Sequence, residues 1–178
     1  MAIRFHAILA ALTLALTTAL PTAAHAQYWQ CVAFARETTG VAIRGNANTW
    51  WGQAEGRYDR GHAPKPGAIL AFKSAPGMRA GHVAVVSKIV SDREVLLDHA
   101  NWSRPGGIEH GVRAVDVSPE GDWSQVRVWY ASLGDLGTRT NPTYGFIYPG
   151  DAPAAEPRED RAPLLSQDVI QLAMLESR

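Results

Sequence analysis

Residues 81–101 have the sequence GHVAVVSKIVSDREVLLDHAN, in which two apolar segments flank a short polar one. Valine and isoleucine dominate residues 81–90, and β-branched side chains favour strands. Residues 91–94, Ser-Asp-Arg-Glu, have the composition of a turn. The stretch therefore predicts an antiparallel hairpin whose second strand covers residues 95–101.

The predicted hairpin brings polar side chains together on one face. With a tight turn, Ala84 lies opposite Asn101, and Val86 lies opposite His99. Because side chains alternate between the two faces of a strand, His82, His99 and Asn101 then share a face. This register makes Asn101 a diagonal neighbour of His82, and a bulge would change which of the other two lies nearer.

Short helices are expected before this hairpin and further strands around it. Residues 30–39 are short, rich in alanine and followed by Gly40, which favours a helix end at that point. A second short helix is predicted within residues 46–55. The other strand-like segments are residues 68–73, 112–117, 125–131 and 144–148. Helices followed by antiparallel strands predict an α+β domain.

The two ends of the chain differ in composition from its centre. Residues 1–26 contain an early arginine, an apolar run and a closing Ala-His-Ala, which is typical of a secretory signal peptide. We therefore expect an exported protein, periplasmic or secreted, with a domain over residues 27–150 and no membrane segment after signal cleavage. Residues 151–163 have the Pro/Ala/acidic composition of a linker. Residues 164–178 predict a short amphipathic helix, which docks on its own domain or on a partner.

Charge and cysteine content exclude several classes of protein. The chain has 17 Lys+Arg against 17 Asp+Glu and no basic run, so it lacks the positive surface that binds nucleic acid. A single cysteine forms no intramolecular disulfide and no cysteine-rich metal framework. Histidine pairs at helical spacing with a glutamate are also missing from the sequence, so we expect neither a metal nor a cofactor. The domain is expected to be a monomer.

Cys31 lies in the first turn of the first predicted helix. Unsatisfied N–H groups and the helix dipole at that position favour a thiolate over a thiol. A cysteine becomes a useful nucleophile when a histidine takes its proton and a third group orients that histidine. The alternative is that Cys31 is a small buried hydrophobic residue, as many unpaired cysteines are.

Four stretches together resemble a known family. They are QCVAFAR at residues 30–36, GAILAF at 67–72, GHVAVV at 81–86 and DHANW at 98–102. In order and spacing they resemble the CHAP domain, the cysteine, histidine-dependent amidohydrolases/peptidases of bacterial cell-wall metabolism. The resemblance extends over residues 28–149. It implies a papain-like α+β fold, with short N-terminal helices packed on an antiparallel sheet and Cys31 at a helix start.

The resemblance also implies catalytic roles. Cys31 is then the nucleophile, His82 the general base and afterwards the acid, and Asn101 the polar residue beside them. Many relatives carry glutamate two residues before this asparagine, whereas here the position holds His99. A neutral imidazole accepts a hydrogen bond as a carboxylate does, but it has no negative charge. The third member is thus Asn101 or His99, and we favour Asn101 because a Cys-His-Asn set is sufficient in papain-like proteases.

The implied function is that of an exported cysteine hydrolase, an amidase or endopeptidase that cleaves amide bonds of peptidoglycan. The alternative is a non-catalytic wall-binding or scaffolding module that retains the CHAP fold. Four tryptophans close to these motifs are candidates for substrate binding, with core packing as the alternative. They are Trp29, Trp50, Trp51 and Trp102.

Overall fold

The computed structural model describes residues 28–150. The predicted signal peptide, linker and C-terminal helix lie outside these residues. Within the described range, no helix has the length and the apolar character that crossing a membrane requires.

The helical part of the domain is small and precedes all of the described strands. Helix α1 covers Cys31–Thr39, a 3₁₀ turn covers Ala47–Thr49, and helix α2 covers Trp50–Gln53. Gly40 ends α1 with a left-handed φ of 72°, and its N–H donates to the carbonyl of Arg36 at 2.9 Å. The predicted helix before Gly40 is therefore confirmed.

Antiparallel strands make up most of the domain. They are β1 (Asp59–Gly61), β2 (Ile69–Phe72), β3 (His82–Ser91), β4 (Glu94–Ala100), β5 (Ile108–Asp116), β6 (Gln125–Tyr130), β7 (Asp135–Leu136) and β8 (Asn141–Tyr148). The six strands expected from the sequence are all present, as β2 to β6 and β8. The short strands β1 and β7 are additional: β1 pairs with β8, and β7 pairs with β6.

Strand β8 closes the sheet into a barrel. Along β2 it pairs Phe146 with Leu70, and at its start it pairs Asn141 with Val126 of β6. The order β8-β2-β3-β4-β5-β6 therefore returns to β8, which gives a closed six-stranded barrel.

The predicted α+β, papain-like arrangement, with short N-terminal helices packed on an antiparallel sheet, is therefore wrong. The domain is mostly β, and its only two α-helices among residues 28–150 are short. The strand patterns are local features of the sequence, whereas closure depends on pairing between segments far apart in the chain. Periodicity predicts the strands themselves but not which of them pair with each other.

Alternation of side chains gives the barrel an inner core and an outer one. Leu70 and Phe72 point into the barrel with apolar residues of the other barrel strands. Ile69 and Ala71 point outward and pack with Ala35 of α1 and its neighbours. The helices thus cover one outer side of the barrel, and β2 is buried on both faces, which explains its unbroken apolar sequence.

Two irregularities in the β3–β4 hairpin change the predicted register. Next to the turn, Ser91 pairs with Glu94 as expected, but shifts after Ile89 and after Val86 bring Val86 opposite Leu97. The predicted pairing of Val86 with His99 is therefore wrong by two residues. A shift of two preserves the face of each side chain.

A matched pair of leucines tests the barrel core. Leu70 has no exposed surface inside the barrel, whereas Leu133 is 57% exposed. We expect Leu70→Ala to lower the free energy of unfolding by about 2 to 5 kcal/mol because it leaves a cavity, and Leu133→Ala to change it by less than about 0.5 kcal/mol. Urea unfolding measures both values, and equal effects would contradict the barrel interior described above.

Candidate active site

Cys31 is the first residue of α1 and lies against the backbone of β3. The residue before it, Gln30, has an extended backbone, and its side chain makes no capping hydrogen bond to the N–H groups of the first turn. Burial raises the pKa of the Cys31 thiol, and hydrogen bonds from the backbone N–H groups of Val83, Val32 and Cys31 itself lower it. The predicted preference for thiolate at the helix start is therefore outweighed by burial, and the resting group is a thiol.

His82 is the first residue of β3 and pairs with Phe72 of β2. Its side chain is on the inward face of the strand, at one end of the barrel, and the residue is only 4% exposed. Burial, and then the neighbouring His99, hold the pKa of His82 well below its usual 6.5. The imidazole is therefore neutral near pH 7 and able to accept a proton.

His99 of β4 is the ring that His82 contacts. The Nε2 atom of His82 lies 3.1 Å from Nδ1 of His99, which is a hydrogen bond whose direction depends on the tautomers. His99 has no exposed surface, and burial lowers its pKa to about 4, against the opposing effect of Glu109 and Asp98. Both rings are thus neutral, and a single proton lies in the hydrogen bond between Nε2 of His82 and Nδ1 of His99.

The hydrogen bonds of the Asn101 side chain go to residues other than the histidine pair. Its Oδ1 accepts from the N–H of Gly106 at 2.9 Å and from the hydroxyl of Tyr28 at 3.3 Å, and its Nδ2 donates to Oε1 of Gln30 at 3.1 Å. Asn101 has a left-handed φ of 60°, which asparagine tolerates better than most residues. Gly106 is required at its position, because a Cβ there would lie 2.5 Å from the Tyr28 ring. These contacts hold the segment that leads into Cys31.

The tryptophans divide between the site and the core. Trp102 covers the histidine pair: its ring centroid lies 4.8 Å from that of His82 and 5.6 Å from that of His99. Trp50 has no exposed surface and belongs to the outer core, so its predicted role in substrate binding is replaced by packing. Trp51 stacks on Tyr144 with centroids 6.0 Å apart. Trp29 packs edge-on against Phe34 at 6.3 Å.

A cavity of about 700 Å³ joins the site residues. Cys31, His82, Asn101 and Trp102 line one part of it, and Arg79 and Arg139 line another. Four of the predicted site residues do not line the cavity: His99, which lies behind His82, and the tryptophans Trp29, Trp50 and Trp51. Among residues 28–150, no group of three His, Cys, Asp or Glu side chains is arranged to hold a metal ion.

Part of the chain matches the model of a known protein family. Residues 22–101 match the family model of the CHAP domain. Over these residues the chain is therefore similar to the CHAP domain. The match includes Cys31, His82, His99 and Asn101, and it confirms the resemblance inferred from the four sequence stretches.

One solved structure similar to this chain is titled N-acetylmuramoyl-L-alanine amidase from Staphylococcus aureus. Its identity is 25% and its TM-score 0.42, and the similarity covers 60% of this chain and 31% of that one. The chain thus spans about a third of the length of that structure. No curated protein matches the chain.

Sequence reasoning missed Glu109, which lies beyond the residues matched to the CHAP domain. Glu109 pairs with His99 across β4 and β5, and its Oε2 lies 3.7 Å from Nε2 of His99. Counting by twos from inward-facing Val112 would put His110 in the barrel. A bulge that includes Gly111, with φ of 62°, instead turns Glu109 inward and leaves the His110 side chain 68% exposed.

The pKa directions predict how Cys31 reacts with alkylating agents. Because burial raises the pKa of its thiol, the rate of alkylation by iodoacetamide should rise with pH with a midpoint above the roughly 8.5 of a free cysteine. The same chain unfolded in urea supplies the reference midpoint. A midpoint below about 7 would instead indicate a preformed thiolate–imidazolium pair.

The depressed pKa of His99 predicts a loss of stability in acid. Between about pH 6.5 and its folded pKa of about 4, the unfolded state binds a proton that the folded state does not, so acidification favours unfolding. His99→Gln removes this difference. From pH 7 to pH 4 the wild type should lose on the order of 3 kcal/mol more of its free energy of unfolding than the variant. Parallel losses, measured by urea unfolding at each pH, would show that His99 is not buried in its neutral form.

Proposed function

We propose that this chain is an exported cysteine hydrolase that cleaves amide bonds of peptidoglycan. The proposal depends on one observation: the thiol of Cys31 and the imidazole of His82 open onto the same cavity, within the residues matched to the CHAP domain. Val83, which bonds the thiol through its N–H, directly follows His82 in the chain. Neighbouring backbone groups of β3 therefore position both the nucleophile, Cys31, and the base, His82.

In the first step, His82 takes the proton of the Cys31 thiol as Sγ bonds to the amide carbonyl carbon. N–H groups at the start of α1 stabilise the oxyanion that forms. The carbon–nitrogen bond then breaks, and the imidazolium of His82 gives its proton to the leaving amine. A neutral thiol and a neutral imidazole at rest make this a general-base attack rather than a reaction of a stored thiolate.

In the second step, water attacks the thioester carbonyl carbon while His82 takes a proton from the water. The carbon–sulfur bond breaks, the acid product leaves, and the Cys31 thiol is restored with the proton from His82. The 3.1 Å contact supports His99 as the group that orients His82. Asn101, with its bonds to Gln30 and Gly106, instead positions the segment before the nucleophile.

The charge of the cavity supports a substrate that carries carboxylates. Arg79 and Arg139 are among its lining residues, and no described Asp or Glu is. Guanidinium groups bind carboxylates well, and stem peptides of peptidoglycan carry several. The volume, about 700 Å³, suits a peptide of a few residues.

Digestion of defined peptidoglycan tests the proposal. We expect the purified chain, under reducing conditions, to release fragments whose masses identify the amide bond that is cut, and Cys31→Ala to release none. Circular dichroism of the variant controls for folding. Polymer binding by both proteins without any product would favour the alternative, a wall-binding module, and overturn the proposal.

A further inference from the structure

We propose that Glu109 is a positioning residue for this site, whose carboxylate fixes the tautomer of His99 and, through that ring, the orientation and tautomer of His82. The proposal rests on the proposed function for its catalytic meaning. Its structural content, a carboxylate that orders two buried imidazoles, can be measured without any substrate.

The three side chains form a line that leads inward from the cavity. His82 lines the cavity, and its Nε2 lies 3.1 Å from Nδ1 of His99. On the far side of that ring, Nε2 of His99 lies 3.7 Å from Oε2 of Glu109. Glu109 is 8% exposed, so its carboxylate is shielded from water almost as well as the rings are.

Only one arrangement of protons lets His82 act as base through Nδ1. If His99 carries its proton on Nε2, then its Nδ1 accepts from Nε2–H of His82, and Nδ1 of His82 keeps a free lone pair. If His99 carries its proton on Nδ1 instead, it donates to His82 and forces the opposite tautomer. A negative charge beside Nε2 of His99 favours the first arrangement.

No other described side chain competes for Nε2 of His99, which has no hydrogen-bond partner in the described part of the chain. Asp98 points the other way, where its carboxylate accepts from the N–H of Gly111 at 2.8 Å and lies 3.1 Å from Nδ1 of His110. Glu109 itself is held in place because its Oε2 accepts from the N–H of Ser103 at 2.8 Å.

The arrangement accounts for the histidine at position 99. In the resembling family, that position commonly holds a glutamate beside the catalytic histidine. Here the ring of His99 occupies it, and the carboxylate of Glu109 lies one imidazole further inward. The negative charge that stabilises an imidazolium at His82 is thus displaced to β5, outside the residues matched to the family.

The first test reads the tautomers directly. In the full chain labelled with ¹⁵N-histidine, we expect ring nitrogen shifts at pH 7 that show His99 protonated on Nε2 alone. Glu109→Gln keeps an oxygen that accepts from Ser103 but removes the charge, and it should produce a mixture of both tautomers. A wild-type His99 protonated on Nδ1, or shifts unchanged by the substitution, would overturn the proposal.

The second test is a double-mutant cycle on peptidoglycan hydrolysis. Glu109→Gln should lower kcat by about tenfold or more with little change in KM, as expected for the loss of a group that orients a catalytic side chain. His99→Glu places a carboxylate directly beside His82, so adding Glu109→Gln to it should leave kcat unchanged or raise it. An equal loss in both backgrounds would mean that Glu109 acts only through the fold.

The two tests separate this proposal from the proposed function. If the wild type hydrolyses nothing but its tautomers respond to Glu109→Gln as described, then the positioning role stands and the assigned activity fails. If hydrolysis occurs and the tautomers do not respond, then the activity stands and the positioning role fails. Circular dichroism of each variant excludes misfolding as the cause of a change.

Discussion

The pairing of β8 with both β2 and β6 is the constraint on which the domain depends. Its contacts with β2 and β6 turn a meander of antiparallel strands into a closed barrel, so every barrel strand has one face in a buried apolar interior. His82 and His99 enter that interior from one end. Closure therefore creates the low-dielectric surroundings that keep both imidazoles neutral.

Burial has opposite consequences for the two reacting groups. It raises the pKa of the Cys31 thiol and lowers that of the His82 imidazole, so each group disfavours its charged form at rest. In the proposed mechanism, charge develops only when substrate is attacked, close to the N–H groups of α1 and the carboxylate behind His99. The thiol and the imidazole are thus uncharged at rest, and the groups around them are placed to stabilise charge as it forms on the reacting atoms.

Much of this site could be predicted from local sequence. The helix before Gly40, the hairpin with His82 and His99 on one face, and the family resemblance all follow from short stretches. Barrel closure could not, because it joins segments that no local pattern relates. Glu109 was missed because the predicted strand began at residue 112, whereas β5 begins at Ile108. Extending the strand by regular alternation would have selected His110 instead, because the bulge at Gly111 interrupts that alternation.

The bulge at Gly111 also determines which of the two strands, β4 or β5, tolerates the loss of a residue. Strand β5 has two residues, His110 and Gly111, opposite the single Asp98 of β4. Loss of Gly111 would restore regular alternation and still present Glu109 to the interior. Loss of Asp98 would turn His99 out of the barrel. Deletion of one residue at this end of the barrel therefore preserves the inward side chains when it falls on β5 and disrupts them when it falls on β4, although the two strands are hydrogen-bonded neighbours.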